Sequence, residues 1–312
     1  MLSRAEPAAR RLVDLGDPAV ARMARRDLLG EDVDPDGALG SPLVRGLLDG
    51  QEPGGAAPDA HPYRKWTGTH WRLISLVELE LPVGHPTGVA MCDAVLDHWA
   101  GPRRLAAIPV LDGRARRCAS QEGNAVAVAC RLGLAHDARV RALVDHLVTW
   151  QWPDGGWNCD IRPEANHSSF HETLPALRGL TEYAARTDDP ATGEAADRAA
   201  ELLLRHEVIF STRTDEPVDP SFTVPHFPPY WHYDVLQALL VLDRAGCGGD
   251  PRTERARRLV ADRRLADGWW RAGRRWWRPP GSPGSGVEAV DWGAVADEMV
   301  TLNALRVGAG RA

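Results

Sequence analysis

Two short strings gather most of the chemically versatile side chains of this chain: Phe170-His171-Glu172 and Trp231-His232-Tyr233-Asp234. A carboxyl from each, Glu172 and Asp234, would serve as general acid and base if burial separated their pKa values, with His171, His232 and Tyr233 beside them as proton carriers. Each carboxylate also has a structural reading. Ser169-Phe-His-Glu172 fits a capping box, in which the glutamate bonds back to the cap. Asp234 falls in a first helical turn, where the macrodipole favours an acid. Upstream, Cys159 and Asp160 are adjacent and His167 and His171 are four apart. Cys159, Asp160 and His232, with His171, form a ligand set of the kind zinc takes. The plainer reading of Cys159 is a buried, inert thiol.

A third group is cationic. Residues 252–278 hold ten arginines, and Arg271, Arg274, Arg275 and Arg278 interleave with Trp269, Trp270, Trp276 and Trp277. Such a cluster would hold a diphosphate or carboxylate head group while the indoles faced an apolar tail. Stacked Arg–Trp pairs on a rim would serve packing alone. The following PPGSPGSGVEAVDW, 279–292, reads as a long flexible loop able to lid a cavity.

The elements that must position these groups are helical and repeated. THWRLISLVEL (69–79), SFHETLPALRGL (169–180) and WHYDVLQALLVL (231–242) align on their leucines without gaps, and NAVAVACRLGL (124–134) and DEMVTLNALRVG (297–308) are weaker copies. Their length and near-continuous apolar character predict buried-face helices. Between them lie amphipathic helices at about 88–100, 137–150, 191–207 and 252–265. The leucine register makes His70, Ala125, His171, Tyr233 and Met299 equivalent, and Trp71, Val126, Glu172, Asp234 and Val300 one residue later. Asn124, Phe170 and His232 precede them. His70, Trp71, Asn124, Phe170 and Trp231, with Arg274 and Arg275, are therefore the expected substrate-binding residues around one mouth. An amphipathic hairpin cannot bury its apolar face alone, so neighbours must stack.

The loops say how. After the third outer helix the chain reads Leu147-Val-Thr-Trp-Gln151-Trp-Pro-Asp154-Gly155-Gly156-Trp157. Gln can satisfy orphan backbone groups at a helix end, Gly permits the sharp turn, and Trp packs against it. Arg45-Gly46-Leu47-x3-Gln51-x2-Gly54-Gly55 keeps the front of this string, and Asp267-Gly268-Trp269-Trp270 keeps its end. The string resembles the QW repeat of squalene-hopene and oxidosqualene cyclases, and over residues 40–308 the chain resembles the terpenoid cyclase/protein prenyltransferase superfamily.

The resemblance implies an all-α fold: a single α/α toroid of about five to six helical hairpins. Residues 1–312 form one domain, with 1–40 as an N-terminal helical flank and 41–308 as five hairpin repeats. It also implies a central, mostly apolar funnel for a small isoprenoid or other apolar substrate. The class II acid motif DxDD is missing, since Asp32-Val-Asp34-Pro35-Asp36 is broken by proline and reads as a surface turn. DDxxD is missing too. Protein prenyltransferases hold zinc with Asp, Cys and His at inner-helix starts; here Cys159-Asp160 departs from their Asp-x-Cys pair.

Three functions remain: an enzyme working on an apolar substrate by acid–base chemistry without a cofactor, a zinc-dependent enzyme of the same fold, and a non-catalytic lipid- or protein-binding toroid. The net charge of −6 argues against nucleic-acid partners. No segment reaches the ~18 apolar residues of a membrane span. Five cysteines without a CxxC pair fit a reduced, cytoplasmic setting with mostly buried thiols. Twelve tryptophans suggest a recurring local use or an aromatic-lined cavity. Nothing in the sequence fixes an oligomeric state.

Overall fold

The computed structural model describes residues 2–49, 61–102, 104, 108–273 and 277–309. Gln51, Gly54 and Gly55 of the second loop copy, and Arg274 and Arg275, lie outside them. Among the described residues the fold is all-α but for a two-residue-per-strand hairpin, β1 (Val110–Leu111) with β2 (Arg114–Ala115). Three helices lead in: α1 (Leu2–Leu15), α2 (Pro18–Leu29) and α3 (Pro42–Leu48). Five inner helices follow, α4 (Thr69–Glu78), α6 (Ala119–Arg131), α8 (Phe170–Thr187), α10 (Val235–Arg244) and α12 (Val295–Ala309). They alternate with outer helices α5 (Pro86–Trp99), α7 (Ala138–Trp150), α9 (Pro190–Arg205) and α11 (Glu254–Asp262).

The division into inner and outer follows from sequence pattern. α7 buries Val140, Leu143, Val144 and Leu147, one stripe at i, i+3, i+4 and i+7. α6 buries every residue from Ala119 to Cys130 except Gln121, as an apolar helix enclosed on all sides must. Each inner helix touches the next, from α4 through α6, α8 and α10 to α12. α12 then packs on α1 and α2, and α2 leads through the 3-10 turn Pro35–Gly40 and α3 back to α4. Where α6 meets α8 the backbones touch: a Cβ on Gly123 would lie 2.4 Å from the Pro175 carbonyl oxygen, and one on Gly179 2.5 Å from that of Gly123.

The loop string repeats in three dimensions. The Trp157 indole N–H donates to the Leu147 carbonyl at 2.9 Å, and the Trp270 indole to Val260 at 2.6 Å, each ten residues back on its own outer helix. Their backbone N–H groups reach Thr173 Oγ1 (3.3 Å) and Thr301 Oγ1 (3.1 Å) on the next inner helix. Gly155 and Gly268 take positive φ of 105° and 86° at the same point of the two turns. Gln151 donates to the Gly155 and Ala195 carbonyls, both at 2.8 Å. The loop thus locks each outer helix to the inner helix that follows.

The inner helices also meet in charge. Glu78, the last residue of α4, lies 3.1 Å from Arg131 at the end of α6 and 3.9 Å from Arg178 midway along α8, and Arg178 donates to Gln237 in the first turn of α10 at 3.2 Å. A cavity of about 500 Å³ opens there, lined by Arg26, Glu80, Arg131, Glu182, Asp243 and Arg306 among others. No described helix is long and apolar enough to cross a membrane.

Two sequence expectations change. The inner helix expected at 124–134 begins at Ala119, so Asn124 and Ala125 lie past its first turn, and Glu172 pairs across to Ser120 instead of Val126. The 279–292 segment is fastened rather than free. Glu288 accepts the Tyr230 hydroxyl at 2.7 Å, the Val287 carbonyl accepts the Trp66 N–H at 3.2 Å, and Trp292 is buried.

Candidate functional site

The N-terminal ends of α6 and α8 carry the site. Cys118 is the N-cap residue of α6, and its thiol caps nothing. Cys159 follows the Trp157 loop. Backbone pairing brings the two cysteines side by side, because Arg116 and Asn158 form an isolated parallel bridge and Arg117 N–H donates to the Asn158 carbonyl at 3.2 Å. The pairing is braced by the Trp152 indole on the Ala115 carbonyl (2.9 Å) and by Arg116 on Ala165 (2.8 Å). Glu172, in the first turn of α8, completes the group. One ligand atom from each of Cys118, Cys159 and Glu172 lies within 4.8 Å of the others.

Glu172 is buried, with its two oxygens facing different partners. Oε2 accepts the Ser120 N–H at 2.9 Å, and Oε1 faces the Cys159 thiol at 3.5 Å. Burial pushes its carboxyl above the usual range, only partly countered by these donors. The Cys159 thiol also bonds to the Cys118 sulfur, which lowers Cys118 and raises Cys159. Arg117 also lowers Cys118, while its guanidinium is tied to the fully buried Glu122. The only lysine, Lys65, sets its ammonium over the rings of Trp66 (5.1 Å) and Trp231 (5.0 Å). Burial lowers it, and Cys118 opposes that shift.

The expected mouth is gathered in part. Tyr233 N–H donates to His171 Nδ1 at 2.9 Å, Trp231 stacks on His232 at 3.9 Å, and Phe170 lies edge-on to Tyr233. Burial holds His232 down to about 2 and lowers His171 as well, so both imidazoles are neutral. His70 accepts the Trp99 indole N–H at 3.2 Å and is held down to about 3. Trp71 is buried between Tyr63, Trp66 and Tyr230, and the Asn124 amide donates to the Tyr230 carbonyl at 3.0 Å. Trp66 stacks on Tyr230 at 4.7 Å. These aromatics fill one another's space.

The two capping assignments exchange places. Ser169 makes no side-chain cap bond, and Glu172 reaches across to α6. Asp234, fully buried, is the N-cap of α10: Oδ1 accepts the Leu236 and Gln237 N–H groups at 2.8 and 2.9 Å, and Oδ2 lies 2.6 Å from His226 Nδ1. Among the expected metal ligands only Cys159 stays. Asp160 turns outward onto Arg162, which holds it at about 2, and His232 faces Trp231. Cys118, which sequence reasoning passed over, takes their place.

A cavity of about 400 Å³ is lined by Asp97, His98, Gly101, Pro102 and Arg104. Arg104 bonds to Gln121, three residues beyond Cys118, at 2.8 Å.

No protein-family model matches the chain, and no curated protein matches it.

Proposed function

We propose that the chain is a zinc-dependent enzyme on an α/α toroid, with the metal held by Cys118, Cys159 and Glu172. The observation that carries this reading is the convergence of two thiols and a buried carboxyl within 4.8 Å. The donor set suits the ion: two soft thiolates favour zinc over magnesium or calcium. Zinc with sulfur at about 2.3 Å in tetrahedral geometry needs donor atoms roughly 3.3–3.8 Å apart, a small closing movement from what is seen. Three protein ligands leave a fourth position for substrate, the pattern of catalytic sites.

Bound there, zinc would supply a Lewis acid or lower the pKa of a substrate thiol or water. The chain's own residues do the rest. Ser120 N–H fixes the glutamate's second oxygen, leaving Oε1 for the ion, as outer-shell partners do elsewhere. Lys65 and Arg117 offset the negative charge that two thiolates and a carboxylate bring. Cys118 is the N-cap of α6 and Glu172 stands in the first turn of α8, where helix dipoles favour anionic ligands.

Metal analysis of the full chain tests this. Protein expressed without added zinc is expected to carry about one equivalent, falling several-fold in Cys118→Ser, Cys159→Ser and Glu172→Gln. Cobalt substitution should give a thiolate-to-metal charge-transfer band that the cysteine variants lose. Protein that stays metal-free after zinc supplementation would end the proposal.

A further inference from the structure

We propose that Cys118 and Cys159 interconvert with an intramolecular disulfide, a second chemical state of the site that excludes the metal. The exclusion rests on the zinc reading above; the thiol chemistry does not. The two sulfurs are grouped within 4.8 Å, and both residues are only partly buried. They stand on paired backbones: Arg116 bridges Asn158, and strands so paired run about 5 Å apart. One residue on, Arg117 stands opposite Cys159, so Cys118 is a diagonal neighbour of Cys159 across the bridge, and the sulfurs, already within 4.8 Å, close to the S–S length of about 2 Å by drawing their side chains together. The other three thiols sit elsewhere: Cys92 on α5 and Cys130 near the end of α6 are buried, and Cys247 follows α10.

The exchange balances with a small-molecule disulfide as oxidant. The Cys118 thiolate attacks one sulfur of that disulfide, forms a mixed disulfide and releases one thiolate. Glu172 Oε1, which faces the Cys159 thiol at 3.5 Å, takes its proton. The Cys159 sulfur then attacks Cys118, releasing the second small thiolate, which recovers the proton. Two protein thiols and one disulfide become one protein disulfide and two small thiols. With both sulfurs spent, Glu172 alone cannot hold zinc.

The test uses the full chain, stripped of metal by chelation, with oxidised glutathione as probe. The expected result is loss of two of the five alkylatable thiols and a mass lower by two hydrogens. A linked Cys118–Cys159 peptide pair should appear and be reversed by dithiothreitol, and the oxidised protein should take up no zinc. Cys92→Ser should behave as the parent, and Cys118→Ser should form no cross-link. Two glutathione adducts, five alkylatable thiols after oxidation, or a cross-link that persists in Cys118→Ser would each overturn the pair. If the disulfide forms but reduced protein takes no zinc, the metal reading falls and the exclusion with it, while the pair stands. If zinc binds but only adducts form, the pair falls and the metal stands.

Discussion

The α6–α8 contact makes a sharp prediction, because Gly179→Ala should raise stability by local rules and lower it by this packing. On an isolated helix, the change is worth about 1 kcal/mol in favour of alanine. Here the added methyl would sit 2.5 Å from the Gly123 carbonyl oxygen and 3.0 Å from its Cα, roughly 1 Å inside van der Waals contact. The obstacle is backbone and cannot rotate away, so the overpacking cost belongs near the top of the usual ~1–3 kcal/mol. The net expectation is a loss of about 2 kcal/mol, read by urea denaturation, and a melting temperature lower by roughly 3 °C. Gly193→Ala is the control. It lies in α9 with nothing within 4 Å of its would-be Cβ, so it should gain up to about 1 kcal/mol. If Gly179→Ala were as stable as the parent while Gly193→Ala behaved as expected, the two inner helices would not be in backbone contact. The registration of Ser120 against Glu172 would then lose its basis.

Asp234→Asn should lower stability by about 2 kcal/mol, because the buried His226 loses a charged hydrogen-bond partner; unchanged melting would return Asp234 to the catalytic role its sequence position suggested. Burial alone would raise the Glu78 carboxyl, but Arg131 and Arg178 reverse this and hold it at about 2. Its folded pKa therefore lies below its unfolded value, so its contribution is present above about pH 5 and fades as pH falls towards 2. Glu78→Gln should cost about 3 kcal/mol at neutral pH by removing the carboxylate that the buried Arg178 and the partly buried Arg131 share, and should flatten the acid limb of a stability–pH profile.

Much of the frame was legible because it rests on short-range rules. Apolar runs of three turns marked the inner helices, and Gln151, Gly155 and Trp157 marked a loop closed on its own outer helix by the Trp157–Leu147 bond. The site was less legible because it rests on register between helices. Leucine spacing aligned α8 with α10, and His171 does meet Tyr233. In α6 the same frame started about one and a half turns late, which moved Cys118 off the mouth. Asp234-Val-Leu-Gln237 carries the cap pattern as fully as Ser169-Phe-His-Glu172, and only the bonds in three dimensions show that Asp234 caps its helix while Glu172 reaches across to α6. The pairing of Arg116 with Asn158 joins residues 42 apart in sequence, and no local pattern announces it.

The indole anchors have a consequence for how the architecture can vary. Trp157 and Trp270 each tie a loop through the indole to the helix it has just left and through the backbone to one threonine of the next inner helix, so a turn's shape rests on a few fixed contacts. Inner-helix starts are then free to exchange side chains without loosening the scaffold, and one copy can host a pair of sulfurs where another shows only packing. A scaffold fastened in this way can drift at its rim while its outline stays the same.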